Sequence, residues 1–307
     1  MHFTRDHIND LEKIKKINLI NSCSGYKSAN LIGTISKEGI TNVAVFSSVT
    51  HLGSNPPTLG FILRPTTVPR DTYKNILESG VFTINHIFET RRPEVVFHAA
   101  ALKHLPLLER YPLEAYQTNV VGTATLLQAA KNVNVQVFVN ISTDKAANPI
   151  SILGYSKRIA EQITSHFGST AKVGKYISVR FGNVLGSRGS VLTSFRDQIE
   201  KGGPVTVTHK GVTRYFMTIS EAVQLVIQAG AIGSNGEVLV LDMGTPVSIY
   251  DVATQLVRNS KKPVAIEIVG LRSGEKVHEE LFGTGEVDTR PHHPLISHVP
   301  VKPLSDL

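Results

Sequence analysis

Val95-Val96-Phe97-His98-Ala99-Ala100-Ala101-Leu102-Lys103-His104 reads as a buried strand and the loop that follows it. The next strand-like run, 135–141, leads into Ser142-Thr143-Asp144-Lys145-Ala146-Ala147-Asn148-Pro149, and Gly154-Tyr155-Ser156-Lys157 comes soon after. Residues 175–181 form a third compact apolar run, and the stretches 113–131 and 153–166 carry helical periodicity. Strands alternating with longer helices imply a parallel sheet with helices packed on its faces. Beyond Phe181 the pattern predicts a strand at 205–208, a helix at 220–229, a strand at 238–241 and a helix at 249–258.

Working upstream, the pattern changes. Thr4 can cap a short helix carrying Ile8, Leu11 and Ile14. Strand-like stretches follow at 31–36, 41–49, 59–63 and 81–84, with a helix at 70–77. Gly39, Asn55-Pro56-Pro57 and Gly80 punctuate them. Short strands at close spacing suggest an antiparallel barrel or sandwich. The two patterns meet near residues 86–92 with no flexible spacer, so we divide the chain into 1–86 and 87–307.

A chain of 307 residues with 41% hydrophobic and 19% charged content fits a soluble globular protein. No apolar run approaches the ~20 residues of a membrane helix, and the N-terminus carries no apolar signal core. The one cysteine, Cys23, excludes an internal disulfide and fits a reducing cytoplasm. The net charge is +7, but basic residues are interleaved with acidic ones, which favours anionic small ligands over nucleic acid. The 12 histidines form no zinc pattern, and no metal site is expected.

From Phe88 onward the chain resembles the CapD-type polysaccharide-biosynthesis proteins. These are extended short-chain dehydrogenase/reductases acting as nucleotide-sugar 4,6-dehydratases or epimerases. The resemblance rests on P-E-V-V-F-H-A-A-A-L-K-H, T-N-V-V-G-T, S-T-D-K-A-A-N-P, R-F-G-N-V-L-G-S-R-G-S-V, T-R-Y-F-M-T-I, L-D-M-G-T-P-V and G-L-R-S-G-E-K. It implies oxidation of the sugar at C4 by bound NAD or NADP, loss of the C5 proton, departure of water from C6, and return of hydride. On the family pattern Thr143 would bond the sugar hydroxyl, Asp144 would be the acid and Lys145 the base at C5. A lysine base needs a lowered pKa. Read without the resemblance, Asp144 and Lys145 form an ordinary strand-end ion pair. His98, Ala99, Ala100, Lys157 and Phe181 would border the cofactor. Asn119 would steady the active-site strands. Lys103, Asn183, Arg214, Arg272 and Glu275 would meet the sugar nucleotide, the arginines suiting its diphosphate.

One departure narrows the activity. Lys157 matches the catalytic lysine of Y-x-x-x-K and would be catalytic here too, yet position 153 is leucine. Tyr155 lies about 200° around a helix from Lys157 and reads as a packing residue. A branch of the family also lacks the tyrosine and leans on the T-D-K cluster, which favours dehydration over simple epimerisation.

Residues 1–86 resemble the start of flavin reductase-like, FMN-binding split-barrel proteins, on the run from Ala44 to Pro57, on Arg64-Pro65-Thr66-Thr67 with Arg70-Asp71-Thr72, and on Thr83-Ile84-Asn85-His86. The resemblance implies FMN contacts from Ser47, Ser48, Arg64, Thr66 and Arg70. It covers less than half of such a barrel.

The expected fold is therefore α/β: a partial Rossmann-like parallel sheet with a small C-terminal substrate subdomain, preceded by an incomplete split-barrel fragment. No G-x-G-x-x-G precedes Val95, and that turn is what holds a dinucleotide pyrophosphate at a helix N-terminus. Three readings follow: a UDP-N-acetylhexosamine 4,6-dehydratase/epimerase-like protein, an FMN-binding module, or an inactive in-frame fusion of two truncated genes. A homo-oligomer stays open.

Overall fold

The computed structural model describes residues 30–46, 50–54, 57–60, 71–79, 83–85, 92–187, 190–260 and 262–304. The chain divides into two compact units, Met1–Arg92 and Pro93–Leu307. In the first, β1 (Asn30–Ile35) pairs antiparallel with β2 (Thr41–Phe46). β3 (Thr50–Ser54) and β4 (Pro57–Gly60) form a separate hairpin. Helix α1 (Asp71–Ser79) leads to β5 (Thr83–Asn85), which joins the other edge of β1. Gly39 at φ 82° turns β1 into β2, a conformation glycine adopts without strain. Asn42 and Asn75 both donate to Thr34 Oγ1, at 3.3 and 3.1 Å, and Asn42 also donates to Thr72, pinning α1 to the sheet. The Thr4 helix, Cys23 and all five FMN candidates (Ser47, Ser48, Arg64, Thr66 and Arg70) lie outside the described residues.

The second unit opens with β6 (Val95–His98), α2 (Leu105–Arg110) and α3 (Pro112–Ala115). A π-helical turn, Tyr116–Val121, runs directly into α4 (Gly122–Asn132). The single predicted helix over 113–131 is thus three joined segments. Next come β7 (Val137–Ile141), a 3₁₀ turn (Asp144–Ala146), α5 (Ile152–Thr170), β8 (Lys175–Arg180) and β9 (Asn183–Val184). They lead to α6 (Val191–Glu200), β10 (Val205–Val207), β11 (Thr213–Arg214), β12 (Phe216–Met217) and α7 (Ile219–Ile232). The unit ends with β13 (Glu237–Leu241), β14 (Val247–Ser248), α8 (Ile249–Ser260), β15 (Ile266–Ile268) and β16 (Ile296–Pro300).

The main sheet has the order β16-β13-β8-β7-β6, parallel except for β16. Strand side chains alternate between faces. Phe138 and Tyr176 stack on one face near Phe167 of α5. Val139, Ile177, Val179, Leu239 and Leu241 form the other face, under Leu225, Val226 and Ala229 of α7. A smaller core of Phe195, Ile199, Val205, Val207, Ile249 and Ala253 builds the C-terminal subdomain, where β10 runs parallel to β15.

β6 reads as a strand that a complete sheet would bury, and without the sheet's first half it is expected to become an edge that uncovers apolar surface. Val95 and Phe97 are 48% and 46% exposed. The reason is topological: β6 ends the sheet, and among the described residues no strand pairs with its outer edge.

Candidate functional site

The loop after β7 builds the centre of the site. Ser142 N donates to Val179 O and Asp144 N to Phe181 O, so the chain keeps pairing beyond the strand and delivers residues 143–145 at the carboxyl ends of β7 and β8. This is where parallel α/β sheets place their ligand crevice. Helix α5 begins against the same loop. Ser151 caps it by accepting from Gly154 N at 3.1 Å. Any Cβ on Gly154 would collide with the Lys145 carbonyl oxygen, so only glycine permits this approach.

A cleft of about 620 Å³ opens between the sheet and the C-terminal subdomain. It gathers Thr143, Lys145, Lys157, Phe181, Asn183, Arg214, Arg272, Glu275, Lys103 and Ala99 from the sequence reading. Three expected residues do not line it. Ala100 lies outside the lining. Asp144 sits behind the cleft wall, fully buried, with Oδ1 accepting from Thr143 Oγ1 and Lys145 Nζ, each at 2.9 Å. The His98 side chain turns away into the helices: Nε2 lies 3.0 Å from Thr123 Oγ1, whose own hydrogen goes to Asn119 O. His98 therefore donates through Nε2. Burial, with Lys157 nearby, lowers its pKa to about 4, so it stands neutral and fixes structure.

Lys157 donates to the Ile141 carbonyl from one wall of the cleft. Burial lowers its pKa to about 8, with Glu161 opposing. Leu153, one helical turn earlier, occupies the cleft wall where a tyrosine would stand. Tyr155 is not the packing residue expected; it is 51% exposed, on the far side of the helix from Leu153 and Lys157.

Lys145 also departs from expectation. Burial alone would lower its pKa, but Asp144 and Glu279 together raise it. Its ammonium lies 2.9 Å from Asp144 Oδ1 and 3.3 Å from Glu279 Oε1. The residue proposed as base is thus held as a cation in this state. Arg214 donates to Glu275 Oε1 at 3.1 Å, which reaches across from the segment ending the cleft. Asn119, expected to steady the active-site strands, instead ties the loop after β6 to α5: its amide accepts from Leu102 N at 2.8 Å and donates to Leu102 O and to Ser156 Oγ.

The sequence reading missed Glu161, Arg180, Glu286 and Glu279. Only Glu161 left a signal, an acid one turn after Lys157 on α5. Among the described residues no cluster of metal-ligand type occurs and no helix is long and apolar enough to cross a membrane.

A family profile described as "Polysaccharide biosynthesis protein" matches residues 80–301. The chain belongs to that family. It is 50% identical over 219 residues to the probable polysaccharide biosynthesis protein EpsC of Bacillus subtilis, covering 70% of this chain and 36% of that protein. It is 52% identical over 199 residues to the capsular polysaccharide biosynthesis protein CapD of Staphylococcus aureus, covering 64% of this chain and 33% of that protein. This polysaccharide biosynthesis protein thus spans about a third of those two relatives. Among solved structures, Pen from Bacillus thuringiensis superposes with a TM-score of 0.63 at 34% identity, covering 67% of this chain and 66% of that one. UDP-glucose 4-epimerase of Thermus thermophilus, solved with NAD, superposes with a TM-score of 0.57 at 22% identity, covering 64% and 71%. The second unit therefore carries the Rossmann-like fold of nucleotide-sugar epimerases and dehydratases. A second profile, "Flavin reductase like domain", matches residues 24–110.

Proposed function

We propose that this chain retains the nucleotide-sugar site of a 4,6-dehydratase or epimerase and takes a UDP-N-acetylhexosamine. The observation that carries this is the convergence of Thr143, Lys145, Asn183, Arg214 and Arg272 on one cleft. Arg214 and Arg272 meet the diphosphate as guanidinium forks. Thr143 bonds the C4 hydroxyl. Lys145 passes its proton to Asp144, 2.9 Å away, and takes the C5 proton as the free amine, while the proton held by the pair goes on to the C6 hydroxyl, which leaves as water. Leucine at 153 leaves no phenol to act as base, which favours dehydration over epimerisation.

Such chemistry starts with C4 oxidation by a nicotinamide dinucleotide. The chain's residues fit one end of that cofactor: Ala99, Lys157 and Phe181 border the cleft. They do not fit the other. Upstream of Pro93, the described strands pair antiparallel, and no G-x-G-x-x-G occurs there. We therefore propose that the polypeptide binds the sugar nucleotide but does not turn it over alone.

Calorimetric titration with UDP-N-acetylglucosamine, followed by incubation with NAD⁺ or NADP⁺ and mass analysis for the dehydrated 4-keto product, tests both parts. Binding without product is expected. No binding would overturn the site assignment, and product would overturn the inactivity.

The flavin reductase match favours a second reading, an FMN-binding module at residues 24–110. It requires purified protein with flavin absorbance that is released on denaturation; colourless protein that takes up no added FMN excludes it.

A further inference from the structure

We propose that Glu279 is the positioning residue for Lys145, holding its ammonium in the cleft and tying it to Arg214. This deepens the proton chemistry proposed above and rests on that reading for the use made of the lysine.

The geometry is specific. Glu279 Oε1 lies 3.3 Å from Lys145 Nζ and 3.9 Å from Arg214 Nε. One oxygen thus faces two cations from different elements, the turn after β7 and strand β11. Asp144 also contacts Lys145, but it cannot aim the lysine into the cleft. Its Oδ1 is shared with Thr143, and its Oδ2 faces the backbone at Gly182, where an added Cβ would come within 2.9 Å. Glu279 itself lines the cleft, and its side chain is only 3% exposed.

Two further observations point to a built arrangement. Among the described residues Glu279 Oε2, like Asp144 Oδ2, is buried with no hydrogen-bond partner, a costly state for a carboxylate oxygen that ties both acids to the lysine between them. The segment carrying it is also fixed to β11. Thr213 N donates to Val277 O at 3.0 Å, Arg214 Nη1 donates to the same carbonyl at 3.2 Å, and Thr213 Oγ1 meets His278 Nδ1 at 2.9 Å. Glu279 is therefore held by the strand that presents the diphosphate-binding arginine. The charged groups facing Lys145 are Asp144 from its own turn, Glu279 from this segment and Arg214 from β11. Lys276, from the same segment, donates instead to Ala147 O and Glu280. Of the two acids, only Glu279 links the lysine to the phosphate end of the cleft.

The test reads the lysine directly and needs no turnover. The full chain is trace-labelled with acetic anhydride across pH, and each lysine is quantified by peptide mass analysis. Exposed Lys201 and Lys262 serve as references. The expected result is a Lys145 titration midpoint above both references in the unaltered protein. Glu279→Gln should lower that midpoint by about one unit, which is about tenfold more labelling at a fixed pH below it. Glu279→Asp, which keeps the charge, should recover part of the shift. A merely packing role would leave the midpoint of the near-isosteric Gln variant unchanged, and that outcome overturns the proposal. So does a Lys145 midpoint at or below the references, a measurement that requires no variant to fold. Loss of sugar-nucleotide binding in the unaltered protein, with the labelling pattern intact, would count against the proposed function and leave the role of Glu279 standing.

Discussion

Arg180 grips Glu161 with two parallel bonds, Nε to Oε1 at 3.1 Å and Nη2 to Oε2 at 2.8 Å, and neither side chain reaches solvent. The pair joins β8 to α5. Ser142 Oγ donates to Glu161 Oε1 at 2.6 Å, which extends the clamp to the loop carrying Thr143 and Lys145. Removing Glu161 takes one of two carboxylates from the buried Arg180 guanidinium, leaves Glu286 as its one remaining acid partner among the described residues and frees Ser142 from the clamp. Glu161→Ala should therefore destabilise the second unit by about 3–5 kcal/mol, read from urea unfolding. A loss below about 1 kcal/mol, the size of an ordinary surface pair, would contradict it.

Arg180 also holds Glu286, and the pair sets an acid limit. Burial raises the Glu286 pKa, but hydrogen bonds and charge from Arg180, with help from Arg158, bring it down to about 2. A depressed carboxylate contributes stability above its unfolded value of 4.5 and loses it as pH falls toward 2. The thermal midpoint should drop across that window. Glu286→Gln should show a lower midpoint at pH 7 and a shallower drop. Parallel curves for the two proteins would refute the assignment.

Lys157 works in the opposite direction. Its folded pKa of about 8 lies below the ordinary lysine value of 10.5. Between those values the unfolded chain binds more protons, so stability rises with pH. Relative to Lys157→Met, the unaltered protein should gain stability from pH 8 to 10.5. Differential scanning calorimetry across that range checks it, and a flat difference would mean that the lysine titrates normally.

Gly154 should tolerate no side chain. Alanine there meets the Lys145 carbonyl and the Pro149 Cβ. Overpacking of this kind costs about 1–3 kcal/mol. Because the obstacle is the backbone of Lys145, Gly154→Ala should also alter sugar-nucleotide affinity in titration calorimetry. An alanine variant with unchanged stability and affinity would show that α5 can shift freely.

The parallel strands were legible because 135–141 and 175–181 are apolar runs bounded by polar turns. α7 and α8 were legible from their periodicity. Val95 to His98 alone reads the same at a sheet centre as at its edge, and its exposure was legible only from the absence of the sheet's first half upstream. β16 escaped notice because it is short, antiparallel and ends in Pro300. α6 was missed beside its glycine-rich approach. Thr143, Lys145 and the two arginines were legible through motifs. Glu279 was not, because it sits among Glu275, Lys276 and Glu280 and looks like one more surface charge. Its partners, Lys145 and Arg214, are distant along the chain. Tyr155 was misjudged because helical phase excludes it from the site without saying that it packs elsewhere.

The π turn at Tyr116–Val121 gives one continuous rod two phases. An inserted residue rotates everything beyond it by about 100° relative to a regular α-helix. Asn119 can thus grasp the Leu102 backbone while Leu127 and Ala130 still pack into the core. Removing a single residue from that turn would put the two ends in competition, as two gears cut to one pitch but offset by a tooth. Either the loop after β6 or the flank of the sheet would lose its hold. The shape of the cleft is therefore written partly in the count of residues along a helix that only borders it.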